Sequence, residues 1–274
     1  LLNPLPYAFG LAAFLAPDAS PTHVRALGVR LNVLDMRVAV DFYSTKLGFV
    51  IRAGGPTSLD VDLAVESGRR LTLHQVPNLP PLSPTEARAS LTLQVRDLDA
   101  ALSRLRSAGV LLGEVAKRKE GVGIAATIHD PFGTPLSLMQ QTVAPIEEFT
   151  EPAIYNFGFY VPDMARARAF HETSLGFVAR SERYLPFDMP LGHADGTFGF
   201  MLHVREGVEA MRYKSVDDER VVILFEVSDL AGTVERLKAR GVVFQQAPQT
   251  APGATPVARF YDPFGYISEI VERR

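Results

Sequence analysis

Apolar positions along the chain follow one rhythm that returns four times. A short segment rich in β-branched and aromatic residues ends at an Asp, a run with helical spacing follows, and a Gly closes it. The runs are Leu31 to Asp35 leading to Phe42-Tyr43 and Leu47-Gly48-Phe49, and Phe159 to Asp163 leading to Phe170-His171 and Leu175-Gly176-Phe177. The other two are Leu91 to Asp97 leading to Gly109-Val110 and Ile223 to Asp229 leading to Gly241-Val242. After Asp97, Leu98, Ala101, Leu102 and Leu105 share one helical face, and Leu230, Val234 and Leu237 repeat it after Asp229. Each Asp stands where a carboxylate caps the free N–H groups of a first helical turn, and each Gly stands where the chain leaves the helix. Between these runs, segments such as Arg70 to Val76 and Thr197 to Val204, bounded by Gly and Pro, read as strands.

The spacing is regular enough to be a duplication. Asp35 and Asp163 are 128 residues apart, Asp97 and Asp229 are 132 apart, and the turn Asp130-Pro131-Phe132-Gly133 recurs 132 residues later as Asp262-Pro263-Phe264-Gly265. The chain therefore reads as two halves of two βαβββ units each. We expect an N-terminal arm over 1–24, modules over 25–143 and 153–274, and a linker over 144–152, within the Pro- and Glu-rich stretch Thr142 to Pro152. Pro77 to Pro84 carries four prolines and predicts a surface loop, since proline cannot join the ladder of a central strand.

Composition narrows the partners. With 274 residues, 47% apolar and 22% charged, the chain can bury a core, and a net charge of −3 without basic runs disfavours nucleic acid and anionic membrane as partners. There is no cysteine, so thiolate metal sites and thiol nucleophiles are excluded. The longest apolar run, Tyr7 to Ala16, is shorter than the roughly 20 residues that span a bilayer. It reads as an arm docked on the body of a cytoplasmic protein; the alternative, a remnant of an export signal, would place the protein in the periplasm or outside the cell.

An Asp-capped helix ending in Leu-Gly-Phe, an Asp-Leu helix ending in Gly-Val and a closing Asp-Pro-Phe-Gly turn, in that order in both halves, resemble a tandem member of the vicinal oxygen chelate (glyoxalase, bleomycin resistance, extradiol dioxygenase) superfamily. The resemblance covers about residues 25–143 and 152–274. It implies an α+β fold of paired βαβββ modules whose mixed sheets curl into cups with helices outside, and in many members a divalent metal held by His and Glu. The positions it implies for ligands are Gly28, Thr72, Ser90 and Ser137 in the first half, and Asn156, Met201, Val222 and Glu269 in the second. Only Glu269 has the required chemistry. Two groupings stay open: one module supplying a whole site (Asn156, Val222, Glu269), or both halves sharing each site. The shared sites would be Gly28, Thr72, Val222 and Glu269, and Asn156, Met201, Ser90 and Ser137.

Strand alternation extends the cup face to Arg30 and Asn32 after Gly28, to Gly158 and Tyr160 after Asn156, and to His74 and His203 beyond Thr72 and Met201. His203 beside Glu269 would form a carboxylate-tuned base, the candidate catalytic pair. Asn156, Tyr160, Tyr184, Met201, Arg30, Asn32 and His74 are the candidate ligand contacts, with the tyrosines offering flat apolar area and a polar tip. Phe157 and Phe159 fall on the helix-facing side, His193 reads as a solvent-facing loop residue, and His129 and Tyr261 read as packing. These residues point to a small-molecule binder that encloses an apolar or aromatic compound in a second-half cup without a metal or other cofactor. The rival is a lyase, isomerase or ring-cleaving dioxygenase using Glu269 with Fe, Mn, Ni or Zn, and a third reading is an interaction module with both cups closed. A chain with fused modules can act as a monomer or a homodimer.

Overall fold

The computed structural model describes residues 24–65, 69–80, 88–113, 117–119, 122–142, 149, 151–205, 215–249 and 256–273. The expected arm, apart from Val24, most of the linker and the far end of the Pro77–Pro84 loop lie outside them.

The first unit holds β1 (Arg25–Val33), α1 (Met36–Val40, continued by a wider turn over Asp41–Lys46), β2 (Ile51–Ala53), β3 (Asp60–Leu63) and β4 (Arg70–Gln75). The second holds β5 (Ala89–Gln94), α2 (Leu98–Ser107), β6 (Lys117–Lys119), β7 (Gly123–His129) and β8 (Pro135–Gln141). The third holds β9 (Ala153–Val161), α3 (Met164–Thr173), β10 (Val178–Ala179), β11 (Asp188–Gly192) and β12 (Phe198–Val204). The fourth holds β13 (Val221–Val227), α4 (Leu230–Ala239), β14 (Val243–Gln249), β15 (Val257–Tyr261) and β16 (Ile267–Glu272).

Local chemistry explains these boundaries. Asp35 accepts from the backbone N–H of Arg37 and Val38, Asp97 from Ala100, Asp163 from Arg166 and Asp229 from Gly232, so all four helices carry the expected carboxylate cap, each worth about 1 kcal/mol. Gly48 and Gly176 take φ of 94° and 79°, a backbone that favours glycine, where Leu-Gly-Phe turns the chain into its next strand. In the closing turns, Asp130 Oδ1 accepts from the N–H of Phe132 and Thr134, and Asp262 Oδ1 accepts from Phe264 and Tyr266.

Two eight-stranded mixed sheets result, with orders β14-β15-β16-β13-β1-β4-β3-β2 and β10-β11-β12-β9-β5-β8-β7-β6. Sheet one therefore joins the first and fourth units through antiparallel β1 and β13, and sheet two joins the second and third through antiparallel β5 and β9. Neither sheet belongs to one half of the chain. The cup expected from the second half alone is not formed, and of the two groupings left open by the sequence, the topology takes the shared one.

One contiguous apolar core serves both sheets. Phe157, Phe159, Phe200 and Phe225 are at most 1% exposed, and Phe159 meets Phe200 (5.3 Å) and Tyr266 in the turn before β16 (5.0 Å) edge-on. His171 is buried in this cluster, its Nδ1 paired with the Ala167 carbonyl, and burial lowers its pKa to about 4.

Candidate functional site

In sheet one, β1, β4 and β13 set Arg30 opposite Thr72 on one side and Val222 on the other, with Glu269 one strand further on β16. Glu269 Oε1 accepts from Arg30 Nη1 at 2.9 Å and from Arg259 Nε at 2.8 Å. Both Arg30 and Glu269 are about 95% buried, at 6% and 4% exposure. Desolvation lowers the Arg30 pKa, and the Glu269 charge works against that loss. A buried pair of this kind contributes little when intact, yet losing one partner strands a charge. Beside it, Asn32 is fully buried and donates through Nδ2 to the carbonyls of Val216 and Glu219. This ties down the short turn at Val216–Asp218, and Val216 packs with Val222, Tyr261 and Ile267. The Arg30–Glu269 pair and the Val216 cluster thus fill the middle of this concave face. At its rim, His74 Nδ1 pairs with Asp60 at 2.7 Å.

A divalent cation of the kind the family resemblance implies does not fit these residues. Gly28 offers no side chain, and a Cβ there would lie 1.9 Å from the Arg70 carbonyl oxygen. Thr72 donates its hydroxyl to Asp62, Val222 has no donor atom, and the Glu269 carboxylate is already held by two guanidinium groups. The other shared set, Asn156, Met201, Ser90 and Ser137, contains neither carboxylate nor imidazole. Among the described residues no group of three or more His, Asp or Glu side chains is placed to hold a metal ion.

Sheet two differs at the matching places. Its concave face holds a hollow of about 290 Å³ whose apolar wall is Met139, Phe198, Met201 and Pro190, with Tyr155 and Tyr184 beside them. Asn156, Asp188 and His203 supply the polar part of the lining. On the paired strands β11 and β12, Asp188 and His203 are direct register partners, and the Asp188 carboxylate holds His203 Nδ1 at 2.7 Å. The Tyr160 ring lies 5.6 Å from the His203 ring, with the Arg205 guanidinium 4.9 Å from the Tyr160 ring centre. Burial raises the Tyr160 pKa. Asn156 Oδ1 and Ser90 Oγ are buried without a hydrogen-bond partner.

Tyr155 and Asn156 both reach the hollow because the β5–β9 register slips there. Thr92 faces Asn156 while Leu93 faces Ile154, which leaves Tyr155 as the extra residue of a bulge. Strict alternation would have sent Tyr155 to the core side with Phe157. The repeat-related slip on β1 lies between Ala26 and Gly28.

Of the expected ligand contacts, Asn156, Tyr184 and Met201 line this hollow, while Tyr160 stands behind His203. Arg30, Asn32 and His74 belong to sheet one, where Arg30 Nη1, Asn32 Nδ2 and His74 Nδ1 are engaged within the protein. The expected His203–Glu269 pair does not exist: exchange of units puts Glu269 on β16 of sheet one and His203 on β12 of sheet two. Each has another partner, Arg30 and Arg259 for Glu269 and Asp188 for His203. His193 is not solvent-facing, since its ring packs 4.9 Å from Phe177 and Nε2 accepts from the Ala26 N–H at 3.4 Å. The sequence reading missed Asp188 and Asp60, although an Asp stands 15 residues before His203 and 14 before His74. That recurring spacing was the available signal.

Two larger clefts, of about 650 and 530 Å³, run beside Arg25, His193 and Arg273. Two of their arginines are paired at the surface, Arg25 with Asp195 at 3.5 Å and Arg273 with Glu226 at 2.9 Å. They lack the convergent apolar wall of the sheet-two hollow.

Comparison with known proteins agrees with this architecture. The family model described as Glyoxalase/Bleomycin resistance protein/Dioxygenase superfamily matches residues 22–138 and again 153–270. Glyoxalase I from Zea mays superposes with a TM-score of 0.68 at 19% identity, covering 91% of this chain and 92% of that one. A putative dioxygenase from Bacillus subtilis subsp. subtilis str. 168 gives 0.65 at 12% identity, covering 93% and 86%. At these identities the likeness concerns the fold. No curated protein matches the sequence.

Proposed function

The chain belongs to the glyoxalase/bleomycin resistance/dioxygenase superfamily, and on that premise we propose that it binds a small, largely apolar or aromatic molecule in the hollow of sheet two, without the divalent metal that many relatives use. The observation that carries this reading is the difference in content between equivalent concave faces. In sheet one an arginine fills the middle of the face and closes on Glu269. In sheet two the same face keeps about 290 Å³ of space between methionine and aromatic side chains, near the lower end of small-molecule pockets. Burying a flat ring there would remove apolar area from water on both sides, at roughly 25 cal/mol per Å². The polar groups at one end then set orientation.

The test is a fluorescence titration with naphthalene-sized aromatic compounds, paired with elemental analysis of protein purified without chelator. The reading expects saturable binding, recovery of the compound unchanged, and metal content well below one equivalent. Met201→Trp, which fills the hollow, should weaken binding at least tenfold. Conversion of the compound, or one equivalent of bound metal, would sink the reading in favour of a metal-assisted enzyme.

A further inference from the structure

We propose that the molecule taken by the sheet-two hollow is neutral and donates a hydrogen bond, through O–H or N–H, to His203 Nε2. This deepens the binding reading and rests on it.

The argument starts from the Asp188 carboxylate, which when ionised can only accept. At 2.7 Å it fixes a proton on His203 Nδ1, and in the neutral imidazole this leaves the lone pair on Nε2. Among the described residues Nδ1–Asp188 is the hydrogen bond His203 makes, so Nε2 is an acceptor without a donor. His203 lines the hollow, and an acceptor facing an apolar space calls for a ligand that brings a donor, because an acceptor left unmatched under a ligand keeps its desolvation cost.

Charge weighs against an anion. Among the described residues no lysine or arginine lines the hollow, while Asp188 does, so the lining offers a carboxylate or phosphate no cation. Guanidinium groups already lie over Tyr184 (Arg183, 5.7 Å) and Phe198 (Arg69, 5.3 Å), which leaves fewer ring faces for a ligand cation. The Asp–His pair alone does not make the site. His74 and Asp60 repeat it in sheet one, where Arg30 fills the middle of the concave face. Among the described residues the pair and an open apolar hollow coincide in sheet two.

Three probes of one shape separate the outcomes: 2-naphthol, which donates, 2-methoxynaphthalene, which only accepts, and 2-naphthoate, which is charged. The wild-type protein should bind 2-naphthol on the order of tenfold more tightly than the methyl ether, with the carboxylate weakest. Asp188→Asn releases the fixed tautomer, so the ratio of 2-naphthol to ether affinity should fall severalfold, whereas Asp60→Asn in the other sheet should leave it unchanged. Equal binding of all three, or tightest binding of 2-naphthoate, overturns the donor rule while sparing the hollow as a binding site. No binding by any of them removes both.

Discussion

The two concave faces descend from the same repeated unit, and side chains at matching positions have taken them in opposite directions. In sheet one, Gly28 keeps β1 close to β4, Arg30 crosses to Glu269, and Val216 closes in from the turn tied to Asn32. In sheet two, Asn156 stands where Gly28 does, Gly158 where Arg30 does, and Tyr160 where Asn32 does. Replacing the arginine by a glycine removes the group that would fill the middle, and the hollow stays open. Duplication thus permits one face to become structural while the other keeps room for a ligand. What decides between them is a single inward position and the carboxylate that answers it.

The largest expected effect comes from breaking the filled face. At 4% exposure between Arg30 and Arg259, Glu269 compensates a buried charge. Glu269→Ala should cost about 3–5 kcal/mol in urea unfolding, with little effect on probe binding in sheet two. An equal loss of binding would mean the faces are not independent.

A smaller effect separates the two repeats beneath their sheets. Tyr43 in the first half stands where His171 stands in the second; the former donates to Asp130 Oδ2 at 3.0 Å, the latter is a neutral imidazole in an aromatic cluster. With its folded pKa lowered by burial from 6.5 to about 4, His171 binds its proton more readily when unfolded. Its contribution is full above pH 6.5 and is lost as pH falls through 4, a change of about 3 kcal/mol. Asp262, raised to about 6 by burial, works the other way over part of that window. The informative quantity is therefore the stability of wild type minus that of His171→Phe, which should fall by about 3 kcal/mol from neutral pH to pH 4. A flat difference would show that His171 carries no such shift.

The smallest effect belongs to the rim of sheet one. The His74 partner Asp60 has a side chain 57% exposed, so His74→Gln should change stability by no more than about 1 kcal/mol and leave probe affinity alone. His203→Gln, in the lined hollow, should weaken 2-naphthol on the order of tenfold.

Much of this fold was legible because its cues are local. Four Asp caps, two Leu-Gly-Phe exits and two Asp-Pro-Phe-Gly turns each satisfy nearby backbone groups, so their spacing carries the units. The pairing of units was not legible, since β1 meets either antiparallel neighbour with the same alternation and nothing local prefers β13 to β5. That ambiguity set His203 beside Glu269 in the sequence reading. Asp188 was missed because Pro190 argues against a strand through it, although β11 stands next to the edge strand β10 and tolerates the missing donor. The place of Tyr155 in the hollow was not legible either, because a bulge breaks the period of two there.

The most direct test is a methyl carbon–proton NMR titration of protein labelled at its methionine methyl groups, with 2-naphthol as ligand. Met139 and Met201 line the open hollow, whereas Met36 is buried under sheet one. Saturating 2-naphthol should move the Met139 and Met201 resonances by ring-current shifts and leave Met36 in place. Saturable binding that leaves Met139 and Met201 still, or that moves Met36 instead, would contradict the assignment of the ligand to sheet two.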